Sequence, residues 1–164
     1  MTEERSYDQF EDDDLARLAD LARLDLEGFV ARNRHHTSLK ERVLVVALCQ
    51  GAALHYVDGK NGVKDFDVWT FFADDGHSPP YPVRRRGEAQ FEGARFAQST
   101  RRVDLLGRTL KVGVDVDPIR AVQAYFEGAA TATAWHLAQK AAVVLQPSDR
   151  RGEIIWPKDK ARQG

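Results

Sequence analysis

Hydrophobic residues in the N-terminal part of the chain recur at every third or fourth position. This spacing places them on one face of an α-helix. The positions are Leu15, Leu18, Leu21, Ala22, Leu26, Phe29 and Val30. The acidic run at residues 11–14 precedes them, and negative charge with a capping side chain stabilises the start of a helix. The pattern predicts a long first helix whose apolar face packs on a sheet.

A continuous apolar run follows this helix. Residues 43–49 are rich in β-branched side chains and predict a strand that is buried on both faces. Gly51 lies just beyond it, and residues 53–57 are long enough for a turn or two of helix before glycines and an Asn-Gly step at residues 58–62 end that helix. The apolar, aromatic residues 68–72 predict a second strand.

Two weaker strand patterns come later. Residues 101–107 form a short apolar segment around Asp104. Residues 110–116 alternate between apolar and polar side chains, the pattern of a strand with one solvated face. Both segments are therefore expected to join the same sheet.

Two further helices are predicted toward the C-terminus. The first begins after Asp117, because the next residue is a proline and proline is favoured at the first helical position; Gly128 ends it. The second is expected from Thr131 or Thr133 to Leu145.

These patterns predict an α/β domain in which helices flank a small mixed β-sheet. A single domain is expected to span residues 1–164, with flexible ends at residues 1–10 and 157–164. The insertion at residues 74–100 interrupts the pattern. Its first part is rich in proline, glycine and aspartate and predicts a mobile loop, while the rest gives no assignment.

Composition narrows the class of protein. The chain has 164 residues, of which 43% are hydrophobic and 30% are charged, enough for one domain with a substantial core. A formal net charge of −1 argues against a surface that binds nucleic acid over its whole extent. Cys49 is the single cysteine, which excludes an intrachain disulfide and a thiolate zinc cluster. No signal peptide or membrane-length apolar run is visible, so a cytoplasmic protein without a membrane partner is expected.

Asp65 and Asp67 are the most informative polar residues. Successive side chains of a strand point to opposite faces, so these two carboxylates share one face while Phe66 anchors the other. Like charges at close range repel unless a cation lies between them, and carboxylate oxygens suit a hard cation such as Mg²⁺ or Mn²⁺. The alternative is that the pair is simply solvated on an exposed strand face.

The segment from residue 38 to 117 resembles the DNA polymerase beta-like nucleotidyltransferase superfamily. Its signature is a hydrophobic strand, a glycine followed by glycine or serine, a spacer of about a dozen residues, and Asp-hydrophobic-Asp on the next strand. The matching segment here is Gly51-Ala52, twelve residues, and Asp65-Phe66-Asp67. Ala52 departs from the signature because it offers no hydroxyl to a triphosphate oxygen, although its backbone N–H remains.

The resemblance also implies a third carboxylate and a phosphate-binding lysine. Asp104 is the favoured third carboxylate because it lies in an apolar segment, where an unpaired charge would be costly. Asp115 is the alternative. Lys140, on the predicted last helix, is similar to a lysine that contacts the nucleotide phosphates in several such families, including abortive-infection toxins. Its alternative role is a lysine that extends to water.

What the resemblance implies for function is transfer of a nucleoside monophosphate. Asp65, Asp67 and Asp104 would be catalytic and bind Mg²⁺ or Mn²⁺, and Gly51, Ala52 and Lys140 would bind a nucleoside triphosphate. The acceptor would be an RNA end, a protein or a small molecule, with part of its site supplied by a second copy or another subunit. Two alternatives are a catalytically retired domain that binds nucleotide or RNA, and a structural or antitoxin-like partner module.

Three consecutive arginines, at residues 84–86, follow the strand that carries the carboxylate pair. Arginine binds phosphate through two parallel hydrogen bonds, so this run is a candidate contact for a triphosphate or a polyanionic acceptor. The alternative is a solvated loop whose charge offsets Asp74 and Asp75.

Overall fold

Six strands form one mixed sheet with helices packed on both faces, which confirms the predicted α/β class. The structure, a computed structural model, describes residues 6–7, 9–91 and 101–161. The strands are β1 (Val43–Cys49), β2 (Phe66–Phe72), β3 (Gly87–Phe91), β4 (Arg101–Thr109), β5 (Ala142–Gln146) and β6 (Ile154–Trp156). The helices are α1 (Asp12–Arg32), α2 (Gln50–Asp58), α3 (Pro118–Gly128), α4 (Ala132–Leu137) and α5 (Lys158–Ala161), with 3₁₀ helices at Arg34–Glu41 and Ser148–Arg150.

Helix α1 begins where the acidic run predicts it. The Asp14 carboxylate accepts a hydrogen bond of 2.9 Å from the backbone N–H of Glu11, and Glu11 caps the helix in return. Leu15 and Leu18 are fully buried against the sheet. Capping and apolar spacing therefore act together at this end of the chain.

Strand β1 lies in the middle of the sheet, whose order is β3-β4-β2-β1-β5-β6. It pairs antiparallel with β2 and β5, and Leu44–Cys49 is buried throughout, as a continuous apolar run predicts. Strands β2 and β4 pair in parallel. A parallel pair needs a long crossover, and the insertion, which contains β3, provides it.

Two predicted elements are wrong. The helix expected to reach Leu145 ends at Leu137, and Ala142–Gln146 is strand β5. An alanine-rich sequence fits a helix, but pairing with β1 and burial of the whole of Ala142–Leu145 decide the structure. Residues 110–116 form no strand. Strand β2 ends at Phe72, and the segment is tied to this end of β2 by bonds from the N–H of Leu110 to the carbonyl of Phe72 and from the N–H of Asp74 to the carbonyl of Val112.

Helices cover both faces of the sheet. One layer of core residues lies between the sheet and helices α1 and α2, and a second lies between the sheet and helices α3 and α4.

Asp117 caps α3 by accepting a hydrogen bond from the N–H of Ile119, as predicted. Among the described residues, no helix combines the length and apolarity that crossing a membrane requires.

The described part of the insertion is tied to the body. The buried Arg42 donates hydrogen bonds of 2.7 Å and 2.8 Å to the carbonyls of Ala73 and Pro79. The Asp75 carboxylate accepts from Ser78, which holds its pKa well below the usual range. Residues 92–100 of the insertion, and residues 1–5, 8 and 162–164 at the ends expected to be flexible, lie outside the described residues.

Candidate functional site

The carboxylates of Asp65 and Asp67 lie at the start of β2. Asp65 immediately precedes the strand and Asp67 is its second residue. Phe66 and Val68, between and after them, are buried in the core layer under α1 and α2. Because strand side chains alternate, both carboxylates face the opposite side of the sheet, the side of α3 and α4.

Strand pairing brings Asp104, and not Asp115, to this pair. Asp104 lies directly opposite Asp67 in the parallel register of β2 and β4. Asp115 lies in the exposed segment after β4, where the neighbouring Val114 is 59% exposed. The fold thus gathers the three carboxylates that the sequence favoured at one corner of the sheet.

Asp67 is held in a place that disfavours its charge. Burial raises its pKa, and the charges of Asp104 and Asp65 raise it further, to about 6. Arg86 and Lys140 act in the opposite direction without offsetting the increase. No described residue donates a hydrogen bond to its carboxylate. A partly buried carboxylate of this kind lacks the cation or donors that usually compensate its charge.

Asp104 has the opposite surroundings. Its Oδ1 accepts from Nε and Nη2 of Arg86, at 3.0 Å and 2.6 Å, and from Nε of Arg102 at 2.9 Å. Its Oδ2 accepts from Nη2 of Arg102 at 3.2 Å. Arg86 also pairs with Glu88. Two guanidinium groups thus compensate the Asp104 charge and occupy the oxygens that a cation would use.

The three arginines at residues 84–86 therefore have different roles in the fold. Arg85 forms two hydrogen bonds of 2.8 Å with the Asp25 carboxylate and a third with the Tyr81 hydroxyl, so it serves the structure. Arg86 donates its hydrogen bonds to Asp104 and Glu88. Arg84 is exposed and keeps the role of a candidate anion contact.

A cavity of about 490 Å³ lies in front of Asp65 and Asp67. This volume is in the range of small-molecule sites. The start of α2 and the loop before β2 line it, together with the start of β2, its neighbour β4, and the end of α4 with the turn that follows. The lining residues are Gln50, Gly51, Ala52, Gly62, Lys64, Asp65, Asp67, Trp69, Leu106, His136, Gln139 and Lys140.

The start of α2 presents backbone to the cavity. A Cβ added to Gly51 would meet no described atom within 4 Å, so the space beside this residue is open to a ligand. Gln50 has a left-handed φ of 63°, which is costly for a residue with a side chain. The methyl group of Ala52 instead lies in the core layer under α1. The glycine, more than Ala52, gives a phosphate access to the helix N-terminus.

Lys140 lies in the cavity wall but not on a helix, which corrects the predicted placement. It is an exposed residue of the turn between α4 and β5. Lys64, next to Asp65 in sequence, contributes a second ammonium group. Two exposed lysines and two carboxylates thus line the same cavity, and this arrangement can hold phosphates and a cation together.

Sequence reasoning missed the aromatic part of the cavity. Trp69 lines it two residues after Asp67, on the same face of β2, and His136 of α4 lines it too. Trp135, which the apolar context of α4 would assign to a core, is 58% exposed. The available signal was the period of two along β2, which places Trp69 beside the carboxylates.

The donor set fits a hard divalent cation at Asp65 and Asp67, because both are carboxylates on the same strand face and Asp67 is uncompensated. Asp104 does not fit in its present position, since its oxygens are occupied by arginines. Within residues 6–7, 9–91 and 101–161, no group of three or more histidine, cysteine, aspartate or glutamate side chains is arranged to hold a metal ion. A third protein ligand would require Asp104 to leave its arginines.

The corner therefore combines carboxylates, lysines, an open helix start and an aromatic wall. It can bind a ligand that carries phosphates at one end and a planar group at the other. Comparisons with family models, with curated proteins and with solved structures found no match to this chain.

Proposed function

We propose that the chain is a metal-dependent nucleotidyltransferase that moves a nucleoside monophosphate from a nucleoside triphosphate to an acceptor. One observation carries the proposal. Residues that are far apart in sequence, Gly51, Asp65, Asp67 and Lys140, line one cavity. The acceptor is an RNA end, a protein or a small molecule.

Each part of the cavity has a role in this reaction. The N–H groups at the start of α2 and the positive end of its dipole bind phosphate oxygens, and Gly51 leaves room for them to approach. Lys64 and Lys140 neutralise further phosphate charge. Such groups act by holding the triphosphate in position and by stabilising charge that develops during transfer.

Asp65 and Asp67 would hold Mg²⁺ or Mn²⁺. The cation, when bound, supplies positive charge that stabilises the transferring phosphoryl group and the leaving pyrophosphate. Within the chain itself, the effect is to compensate Asp67, whose burial and carboxylate neighbours raise its pKa. Asp104 would join as a third ligand only after Arg86 and Arg102 move away.

A second candidate function is nucleotide or RNA binding without chemistry. The arginines on Asp104 favour it, because they occupy the carboxylate that would complete the metal site. The absence of a hydroxyl at Ala52 favours it too. In this case Arg84 and the outer edges of Arg86 and Arg102 would contact phosphates of the bound molecule.

Thermal unfolding tests the shared part of both functions. A ligand that binds only the folded chain raises its Tm, so Mg²⁺ or Mn²⁺ with a nucleoside triphosphate should raise the Tm of the wild type. The double variant Asp65→Asn, Asp67→Asn should show no such rise. Asp115→Asn is the matched control and should behave as the wild type does. A wild-type Tm that is unchanged by every combination of metal and triphosphate would refute nucleotide binding at this corner.

Transfer of label separates the two functions. The wild type is incubated with α-labelled triphosphates, Mg²⁺ and a cell extract that supplies acceptors. Label on an acceptor that is lost in Asp65→Asn supports the transferase. Metal-dependent binding without label transfer in any acceptor pool supports the binding domain and counts against the enzyme.

A further inference from the structure

The cavity has an uncharged half that the proposed transfer does not use. Its charged lining residues include Asp65, Asp67 and Lys140, whereas Trp69 and Leu106, one strand repeat further along the β2–β4 pair than Asp67 and Asp104, are apolar. A ligand composed only of phosphates would leave this second half empty. The division indicates a ligand with a planar, weakly polar part attached to its phosphates.

Strand geometry fixes how far apart the two halves lie. Trp69 follows Asp67 by two positions on one face of β2, a separation of roughly 6.5–7 Å along the strand. Leu106 lies opposite Trp69 in the parallel register, as Asp104 lies opposite Asp67. The face of the β2–β4 pair therefore changes from carboxylates to apolar side chains within one strand repeat. The ribose of a nucleotide separates its base from its α-phosphate by a comparable length.

The indole of Trp69 packs against a core residue on the same face of β2. Its ring lies nearly parallel to that of Phe71, with an interplanar angle of 16° and centroids 6.1 Å apart. Phe71 is itself fully buried and packs edge-on against Tyr125 and Phe126 of α3. A ring fixed in this way loses little conformational freedom when a ligand stacks on it.

One hydrogen-bonding side chain of this part of the cavity is already partly engaged. The amide of Gln139, which lines the same wall, donates at 2.9 Å to the carbonyl of Trp135. With this N–H engaged, we assign recognition here mainly to the face of the Trp69 ring. Stacking is stronger for a larger π surface.

We propose that Trp69, with Leu106 beside it, is the stacking platform for a nucleobase and that the site prefers purine to pyrimidine nucleotides. This inference rests on the proposed function, since the phosphates are placed at Asp65 and Asp67. To the proposed function, the inference adds a preference for purine bases and names Trp69 as the residue that selects them. Adenine and guanine are accepted similarly, because the platform contacts the ring face.

Binding measurements on the full chain test the platform. Calorimetric titrations with Mg²⁺ compare ATP, GTP, CTP, UTP and inorganic tripolyphosphate on four proteins: the wild type, Trp69→Leu, Trp69→Phe and Trp135→Leu. The wild type should bind ATP and GTP several-fold more tightly than CTP and UTP. Trp69→Leu should weaken ATP and GTP binding by about tenfold or more and leave tripolyphosphate unaffected. Trp69→Phe should retain most of the affinity, and Trp135→Leu, which removes an exposed tryptophan outside the cavity lining, should retain all of it.

Several outcomes would overturn the platform while the proposed function stands. These are unchanged ATP affinity in Trp69→Leu, an equal loss of tripolyphosphate and ATP affinity, or pyrimidines that bind as tightly as purines. If the wild type binds neither tripolyphosphate nor any nucleotide, the proposed function fails and takes the platform with it. Should Trp69→Leu not fold, quenching of tryptophan emission by ATP but not by tripolyphosphate in Trp135→Leu supports the platform, and equal emission with both ligands refutes it.

Discussion

Two corners of the β2–β4 pair show how the same strands form a closed core and an open site. At the closed corner, Tyr81 covers Gly107 and stacks on Phe72 with ring centroids 5.3 Å apart. At the same corner, Arg85 donates two hydrogen bonds of 2.8 Å to the Asp25 carboxylate. These two charges, of opposite sign, compensate each other.

At the open corner, defined by Asp65, Asp67 and Asp104, charges of one sign are gathered instead. Asp104 has arginine partners, but Asp67 has only the lysine and arginine charges at longer range. The closed corner increases the stability of the folded chain, whereas the open corner decreases it. Such a local cost is typical of sites that bind ligands, and it predicts opposite effects of substitution at the two corners.

The largest effect is expected from Gly107→Ala at the closed corner. An added Cβ would lie 2.7–2.9 Å from ring atoms of Tyr81, and that ring is buried and stacked, so it cannot move freely. Overpacking of this kind costs roughly 1–3 kcal/mol, and we expect the upper part of that range. Chemical denaturation measures it. Gly113→Ala, where the added Cβ meets no described atom within 4 Å, is the control, and equal stability of the two variants would show that the corner is not closed.

Asp67→Asn at the open corner should stabilise the chain without ligand. Well below pH 4 the carboxyl is protonated in both the folded and the unfolded chain, so it adds no penalty. Because burial and neighbouring carboxylates raise the pKa to about 6 in the folded chain, stability is lost as the pH rises from 4 through 6. The loss is at most about 3 kcal/mol. Denaturation at pH 3 and pH 8 should show a gain for Asp67→Asn only at the higher pH. An equal gain at both pH values would show that ionisation of Asp67 is not what destabilises the folded chain.

Gly51→Ala should separate stability from binding. Alanine in place of a helical glycine adds roughly 0.5–1 kcal/mol to the free energy of unfolding, and no described atom obstructs the new methyl group. The same methyl group would occupy the space through which phosphate reaches the start of α2. We expect a higher Tm without ligand and a smaller rise with Mg²⁺ and triphosphate. Gly128→Ala, also unobstructed and at the end of α3, should leave the rise intact.

Arg86→Ala should have the smallest effect on Asp67, although it also removes two hydrogen bonds from Asp104. The positive charge of Arg86 lowers the pKa of Asp67, so its removal should raise that pKa. Arg84→Ala, two residues earlier and exposed, should leave it unchanged. Carboxyl-carbon chemical shifts measure both, and identical titrations of Asp67 in the two variants would show that Arg86 does not act on this site.

Much of this architecture follows from local pattern. The apolar spacing and acidic start of α1, the continuous run of β1 and the Asp-Pro start of α3 each specify their element with little help from the rest of the chain. Strand β5 and the segment 110–116 do not. Their structure depends on which strand lies beside them, and a sequence pattern alone contains no such information.

Some features of the site also follow from local pattern, and others depend on the tertiary fold. The shared face of Asp65 and Asp67 follows from the period of two, and the apolar context of Asp104 indicates its place in a strand. The arginines on Asp104 and the exposure of Trp69 to the cavity depend on a crossover and on a turn after α4. Contacts between distant segments of this kind are set by the tertiary fold, so sequence reasoning assigned neither.

The central claim is that Asp67 is an uncompensated carboxylate that binds a divalent cation. Its carboxyl carbon can be followed by NMR as the pH is changed, first without metal and then with Mg²⁺ and a triphosphate. We predict a pKa of about 6 without metal and a clear decrease when both are added, because the cation stabilises the ionised form. A pKa near 6 that does not change with metal and nucleotide, or an ordinary pKa of about 4 from the start, would contradict the claim.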